Sequence, residues 1–213
     1  MSKFAILLAG EVVPSAKLRQ QVEGARVIAA DAGMVHAKPL HLSPELWVGD
    51  FDSTSQTLRE QWHNVPRQTH PAEKDASDGE LAVSEALRRG ATSLILVGGL
   101  GGQLDHVLAH AGFLVALAKR DIPAFMTSGV EEARGLVRGL HLPQIRPGTR
   151  LSIMPLTDLQ GLTITGVKWP LQNARVNLGS AMTLANIATG PVAITLKAGH
   201  AIVLTYHPEA SHG

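Results

Sequence analysis

The sequence predicts an α/β protein, with an N-terminal doubly wound, mostly parallel sheet carrying helices on both faces, followed by a smaller C-terminal all-β sandwich. Three observations predict it. Over about the first 125 residues, short apolar runs alternate with helix-period patterns, the signature of strand–helix repeats. The runs are continuous rather than alternating, as in strands buried on both faces. Near residue 140 Pro143, Pro147 and Gly148 break the pattern, and the later apolar segments are short with period-2 character. The domains are therefore expected at 1–138 and 139–213.

In chain order, the parallel strands are expected at 4–9, 27–30, 46–48 and 94–97. Helices are expected at 15–23, 54–62, 78–89 and 104–120. The third helix is well punctuated, with Ser77 or Asp78 able to cap its start and Gly90 just past its end. The fourth carries Leu104, Val107, Leu108, Ala111, Leu114, Val115 and Ala118, an apolar stripe of period 3.6. In the second domain, strands are expected at 151–155, 162–167, 191–196 and 201–206. A β unit of this size buries little apolar surface alone, so it is expected to pack against another domain or a second subunit.

Composition narrows the function classes. A formal net charge of +1 gives no support for a nucleic-acid surface or a basic membrane patch. With no cysteine in the chain, disulfides, thiolate metal sites and a cysteine nucleophile are excluded. The apolar run after Lys3 is too short for a secretory signal and is followed at once by Glu11. No stretch approaches the ~18 apolar residues of a membrane span. A cytoplasmic location is the expectation.

The aspartates are the most informative feature. Of the eight in the chain, six (Asp31, Asp50, Asp52, Asp75, Asp78 and Asp105) lie after predicted strands or at the start of predicted helices. Ligands of open parallel sheets bind outside the carboxyl ends of the strands, so these carboxylates are expected to converge on one cleft. Converging carboxylates repel one another unless cations neutralise them. Magnesium suits the pattern, because it takes hard oxygen ligands and is commonly shared with substrate phosphates. The ten histidines are scattered and form no His-Glu-x-x-His motif. Against this, aspartates are also ordinary turn residues and caps. A second feature is Gly98-Gly99-Leu100-Gly101-Gly102, between a strand and a helix, where backbone can approach a phosphate at a helix N-terminus. It lacks the Gly-Lys-Ser/Thr ending of a P-loop and the G-x-G-x-x-G spacing.

Taken in order, five segments resemble the thiamin pyrophosphokinase family. They are Ala30-Asp31-Ala32-Gly33, Gly49-Asp50-Phe51-Asp52-Ser53, Lys74-Asp75-Ala76-Ser77-Asp78, Gly101-Gly102-Gln103-Leu104-Asp105-His106 and Thr165-Gly166-Val167-Lys168-Trp169-Pro170-Leu171. The match runs from about residue 4 to residue 206. The resemblance implies an α/β catalytic domain, a β-sandwich, and a homodimer with active sites at the subunit interface. It implies ATP and thiamin as substrates, with thiamin diphosphate and AMP as products. By position, Asp50, Asp52 and Asp78 correspond to magnesium ligands, with Asp31 and Asp75 nearby. Asp31, Gly49, Lys74, Gly101, Gly102 and Gln103 fall on the ATP side. Asp105, Trp169 and Asn186 fall on the thiamin side, with Trp169 stacking on the ring from the partner subunit. Asp75 or Asp105 is placed to take the proton of the attacking hydroxyl. Gln103 stands where the family usually has arginine, Ala185 where it has serine and Ala32 where it has glycine. The first two departures keep two other readings open: a related pyrophosphokinase acting on another alcohol such as a pterin, and a non-catalytic thiamin- or nucleotide-binding protein. A nucleotide pyrophosphate hydrolase is a separate alternative, which would place water at the acceptor site and leave Trp169 unexplained.

Overall fold

The computed structural model describes residues 2–52, 54–70 and 76–207. The chain forms two compact units. One comprises the residues through Val107 together with Ile122–Gly129, and the other Leu108–Asp121 with the chain from Val130 onward.

The first unit is built on a parallel sheet of β1 (Lys3–Leu7), β2 (Arg26–Ala30), β3 (Leu46–Gly49), β4 (Arg67–Thr69), β5 (Ser93–Val97) and β6 (Ala124–Thr127). The strands lie in the order β4-β3-β2-β1-β5-β6, every pair parallel. From β1 the chain winds outward through β2, β3 and β4, then returns to the other side of β1 with β5 and β6. The order therefore reverses between β1 and β5, the kind of position where open α/β sheets bind ligands. After its first residue, each of β1, β2 and β5 is buried throughout, which explains why these strands read as unbroken apolar runs. Ala5, Leu7, Val27, Ala29, Trp47, Ile95 and Val97 share one core with Leu18 and Val22 of α1 (Ala16–Val22).

Helices α2 (Gln56–Gln61) and α3 (Asp78–Arg88) fall within the expected ranges, and α4 (Leu104–Lys119) ends one residue short of its range. Ser15 and Ser55 cap α1 and α2 by accepting from the backbone N–H three residues on. In α4 only the C-terminal half carries buried apolar side chains, Leu114, Val115 and Leu117, while Leu104 and Leu108 are exposed. Strands β4 and β6 lie outside the expected set, for different reasons. The three residues of β4, Arg-Gln-Thr, are partly exposed and carry no apolar signal, as suits an edge. In β6, four residues follow Pro123 without a second period to distinguish them from a loop.

The second unit contains β7 (Glu131–Leu136), β8 (Gly139–Leu142), β9 (Arg150–Pro155), β10 (Leu159–Val167), β11 (Leu171–Val176), β12 (Asn186–Thr195) and β13 (Ala201–Tyr206), all joined antiparallel. The expected β-rich second half is thus present, with β7, β8 and β11 in addition. Strand β12 is shared along its length. Asn186 and Ile187 pair with β9, Val192–Thr195 pair with β8, and Ala188 and Ala193–Thr195 pair with β10. Alternate residues of β9, β10 and β12 point into a core of Leu151, Ile153, Leu162, Ile164, Val192 and Ile194. Among the described residues no helix is long and apolar enough to cross a membrane.

A charge network fastens α3 to the amino-terminal ends of β2 and β3. The buried Glu85 carboxylate accepts from Arg88 and Arg89, and Arg89 also reaches Glu45, which pairs with Arg26. The Arg88 hydrogen bond, reinforced by Arg89, holds the Glu85 carboxyl down to about 2, against an ordinary 4.5. Because the folded-state value is depressed, the stabilisation is complete above about pH 4.5 and is lost as pH falls toward 2. Glu85→Gln is expected to destabilise the fold by about 1–3 kcal/mol at pH 7. It is also expected to flatten the acid limb of the Tm-versus-pH curve in that window, as scanning calorimetry would register.

Candidate active site

Three carboxylates meet at the carboxyl ends of β2 and β3 and the start of α3. One oxygen from each of Asp31, Asp50 and Asp78 lies within 4.8 Å of the other two, and all three residues are half-buried. Each is brought there by a distinct local device.

Asp31 is the first residue after β2 and adopts a left-handed backbone, φ 40°. Its main-chain carbonyl accepts from the indole N–H of the fully buried Trp47 at 2.8 Å, and its Oδ1 accepts from the Thr54 hydroxyl at 2.7 Å. Asp50 follows Gly49, and a Cβ on Gly49 would lie only 3.2 Å from the Asp31 Cβ. A glycine there lets the two strand ends approach. Asp50 Oδ1 accepts from the Asp52 N–H at 3.0 Å, a local bond that aspartates commonly make in turns. Between them Phe51 turns inward with φ 65°, buried, its ring edge-on to Trp47 at 5.1 Å between centroids. The aromatic residue of the Asp-Phe-Asp segment is thus an anchor that leaves its neighbours outward. From α2, the Arg59 guanidinium donates to the carbonyl of Phe51 (2.6 Å) and that of Thr54 (2.9 Å). Asp78 is the first residue of α3. The capping task falls to Ser77, whose hydroxyl accepts from the Glu80 N–H while the Glu80 carboxylate reaches back to the Ser77 N–H. Asp78 is thereby released from capping and joins the trio.

The glycine loop packs on the end of β1. A Cβ on Gly10 would collide with the carbonyl oxygens of Gly98 and Gly101, and Gly98 itself has φ 84°. The carbonyl of Gly10 accepts from Nε2 of His36 at 2.8 Å. Burial pushes the His36 imidazole below its ordinary value, the backbone bonds to Gly10 and Leu8 opposing that shift.

The remaining expected residues are placed as follows. Asp52 is exposed on the turn after Asp50 and lies outside the trio. Gly101 is half-buried, and Gly102 and Gln103 are exposed, at the end of the glycine loop. Asp105 is exposed in the first turn of α4, its Oδ1 accepting from the His106 N–H. Lys74 and Asp75, like Ser53, lie outside the described residues. In the second unit, Trp169 follows β10 and its side chain is exposed (54%). The Lys168 ammonium lies 4.7 Å over the Trp169 ring, within cation–π range. Asn186 is buried at the start of β12, its side-chain amide bonded to the Trp169 backbone. Thr54 and Arg59 join the site beyond the expected residues. Their only signal in the sequence is proximity to the Asp-Phe-Asp segment.

The model for the thiamin pyrophosphokinase catalytic domain matches residues 19–126, about half of the chain, and that for the vitamin B1 binding domain matches residues 139–201. The chain belongs to the thiamin pyrophosphokinase family. The thiamine pyrophosphokinase of Bacillus subtilis is 28% identical over 172 residues, which cover 75% of this chain and 76% of that protein. A crystal structure of thiamine pyrophosphokinase from Bacillus subtilis superposes with a TM-score of 0.85 over 97% of this chain and 100% of the other, at 22% identity. The yeast thiamin pyrophosphokinase structure gives 0.75 at 14% identity, covering 96% and 86%. Within the family's two matched segments, the carboxylate trio falls in the catalytic one, and Trp169 and Asn186 fall in the vitamin-binding one.

The packing of Gly10 yields a sharp expectation. Gly10→Ala should destabilise the protein by about 2–3 kcal/mol, because two rigid backbone carbonyls and not flexible side chains stand in the way. Urea unfolding would measure the loss; a variant as stable as the parent would show that the β1 end and the glycine loop can part freely.

Proposed function

We propose that the protein transfers a pyrophosphoryl group from ATP to the hydroxyethyl group of thiamin, giving thiamin diphosphate and AMP. The observation that carries this reading is the trio of Asp31, Asp50 and Asp78 at the carboxyl ends of parallel strands, in a chain whose two segments match the catalytic and vitamin-binding parts of one enzyme family. The doubly wound arrangement and the β-sandwich are the corresponding fold assignments, supported by strands buried on both faces in the first unit and by alternating burial in the second. We assign catalysis to 1–138 and thiamin binding to 139–213. The cytoplasm is the proposed location.

The donor set fits magnesium, being all hard carboxylate oxygen gathered within reach of one ion. Asp50 and Asp78 would hold it, with Asp31 as the third carboxylate and Asp52 at the exposed rim. When bound, the metal would neutralise charge on the phosphate oxygens and on departing AMP. The chain's own residues supply position. Asp31, Gly49, Lys74 and the Gly101-Gly102-Gln103 backbone are assigned to ATP, and the glycines give the phosphates close access to main-chain N–H groups. The thiamin hydroxyl oxygen bonds to the β-phosphorus of ATP as the bond to the α,β-bridging oxygen breaks, and AMP departs with that oxygen. The hydroxyl proton passes to a carboxylate, Asp105 or Asp75. Such chemistry depends on in-line positioning more than on covalent help from the protein. Trp169 offers the flat surface on which the acceptor ring stacks.

A homodimer with its active sites at the subunit interface completes the proposal. Exposed Met154, Leu178, Met182 and Leu184 in the second unit support an apolar contact there.

The deciding experiment is AMP release from ATP and magnesium, with and without thiamin, by the protein and by Asp50→Ala. AMP that requires thiamin, and falls roughly a hundredfold or more in the variant, is the expected result. AMP formed equally without thiamin would instead identify a hydrolase. No AMP while thiamin still binds would identify another acceptor or a sensor. Independently, Asp78→Asn should weaken Mn2+ binding roughly tenfold, read by electron paramagnetic resonance without turnover.

A further inference from the structure

We infer that Asn186 is a positioning residue that fixes Trp169 by acting as a substitute peptide group, an inference that rests on the thiamin-stacking role proposed for that indole. The β10–β12 ladder reaches Val167, paired with Ala188, after an irregularity at Gly166. There φ is 75° and a Cβ would collide with the carbonyl of Pro191. One more main-chain bond follows, from the Lys168 N–H to the carbonyl of Ile187 at 2.8 Å.

Beyond it, the β12 backbone cannot serve Trp169. Residue 186 is already in register with Leu151 of β9 on the other side, and Ala185, in a left-handed conformation (φ 57°), turns the chain away. The Asn186 side chain takes over. Its Oδ1 accepts from the Trp169 N–H at 3.1 Å and its Nδ2 donates to the Trp169 carbonyl at 2.8 Å. The same Oδ1 accepts from the Ile187 N–H at 2.9 Å. A primary amide has the donor and acceptor of a peptide unit, so it alone among side chains of this size can extend a ladder on both counts. Aspartate would keep the acceptor but set an oxygen against the Trp169 carbonyl; leucine would supply neither.

The consequence is directional. With the Trp169 backbone held on both its polar groups and the Lys168 ammonium over one ring face, a flat acceptor stacks on the opposite face. Asn186 therefore acts on the vitamin through Trp169 and makes no direct bond to it.

The test is a double-mutant cycle. Asn186→Leu should raise the KM for thiamin roughly tenfold and leave the KM for ATP unchanged. In a Trp169→Ala background, the same substitution should leave the thiamin KM within about twofold of that single variant, because the two residues act as one unit. An unchanged thiamin KM in Asn186→Leu, or an increase that persists without Trp169, overturns the inference. Should Asn186→Leu fail to fold, Asn186→Asp, of similar volume and with the acceptor retained, carries the same cycle. Hydrogen exchange at the Trp169 amide decides the structural half without any turnover. Faster exchange in Asn186→Leu supports the clamp, and unaltered exchange overturns it. Absence of thiamin-dependent AMP in the parent would instead overturn the proposed activity, leaving the exchange result to stand by itself.

Discussion

Holding three carboxylates within 4.8 Å of one another is a repulsive arrangement, and much of the first unit can be understood as the structure that resists it. Like charges this close push apart the chain segments that carry them unless a cation stands between them. Here each segment is fastened by something other than the carboxylate. Trp47 grips the Asp31 carbonyl, Arg59 ties the carbonyls of Phe51 and Thr54, and the Ser77–Glu80 box closes the start of α3. Two non-glycine residues, Asp31 and Phe51, adopt left-handed backbone at the same place. Such conformations cost about 1–2 kcal/mol each and persist where surrounding packing over-determines them. The buried Trp47–Phe51 edge contact is that packing.

The same fastening explains what the sequence could and could not reveal. The parallel strands were legible because β1, β2 and β5 are buried on both faces, so apolar composition alone marks them. The edge strand β4 was not, since among the described residues its Arg-Gln-Thr pairs with β3 alone. Its Arg67 is instead occupied over the Trp47 and Phe51 rings, 5.1 Å and 5.8 Å from their centroids. At the site, position along the chain suggested which aspartates converge, but not which ones group. Asp50 and Asp52 look equivalent as a D-x-D pair. The inward turn of Phe51 and the Asp50 bond to the Asp52 N–H separate them, leaving Asp52 exposed, and Asp31, at the end of the neighbouring strand β2, takes the third place. That exchange follows from strand adjacency, a property of the sheet with no local sequence signal; the glycine at 49 is visible in the sequence, but the approach to Asp31 that it permits is not.

Asn186 is a further case in which residue type was readable and the hydrogen-bond partners were not. As a polar residue in a family motif it reads as a ligand contact. In the fold its amide bonds to the Trp169 backbone and to the Ile187 N–H, and it is nearly inaccessible. Buried polar groups must be paired, and among the described residues no buried side-chain nitrogen or oxygen lacks a partner. The polarity of Asn186 is thus accounted for by the end of a β ladder, which periodicity cannot locate because the irregularity at Gly166 shifts the register.

The departure at residue 185 bears on the same turn. Where the family usually has serine, this chain has alanine with φ 57°, a conformation that gains nothing from a methyl side chain. The turn nevertheless keeps a hydroxyl, because the Ala185 N–H donates to Ser152 Oγ at 2.9 Å, and the neighbouring Thr183 hydroxyl donates to the carbonyl of Ile153. Both bonds run to β9, the strand against which Asn186 is registered. The segment from Thr183 to Asn186 is therefore secured from β9, leaving the Asn186 side chain to face Trp169. Replacing serine by alanine at 185 removes a hydroxyl from the turn without removing what holds the turn in place, so the effect of this departure would fall on contacts made by the missing hydroxyl itself and not on the placement of Trp169.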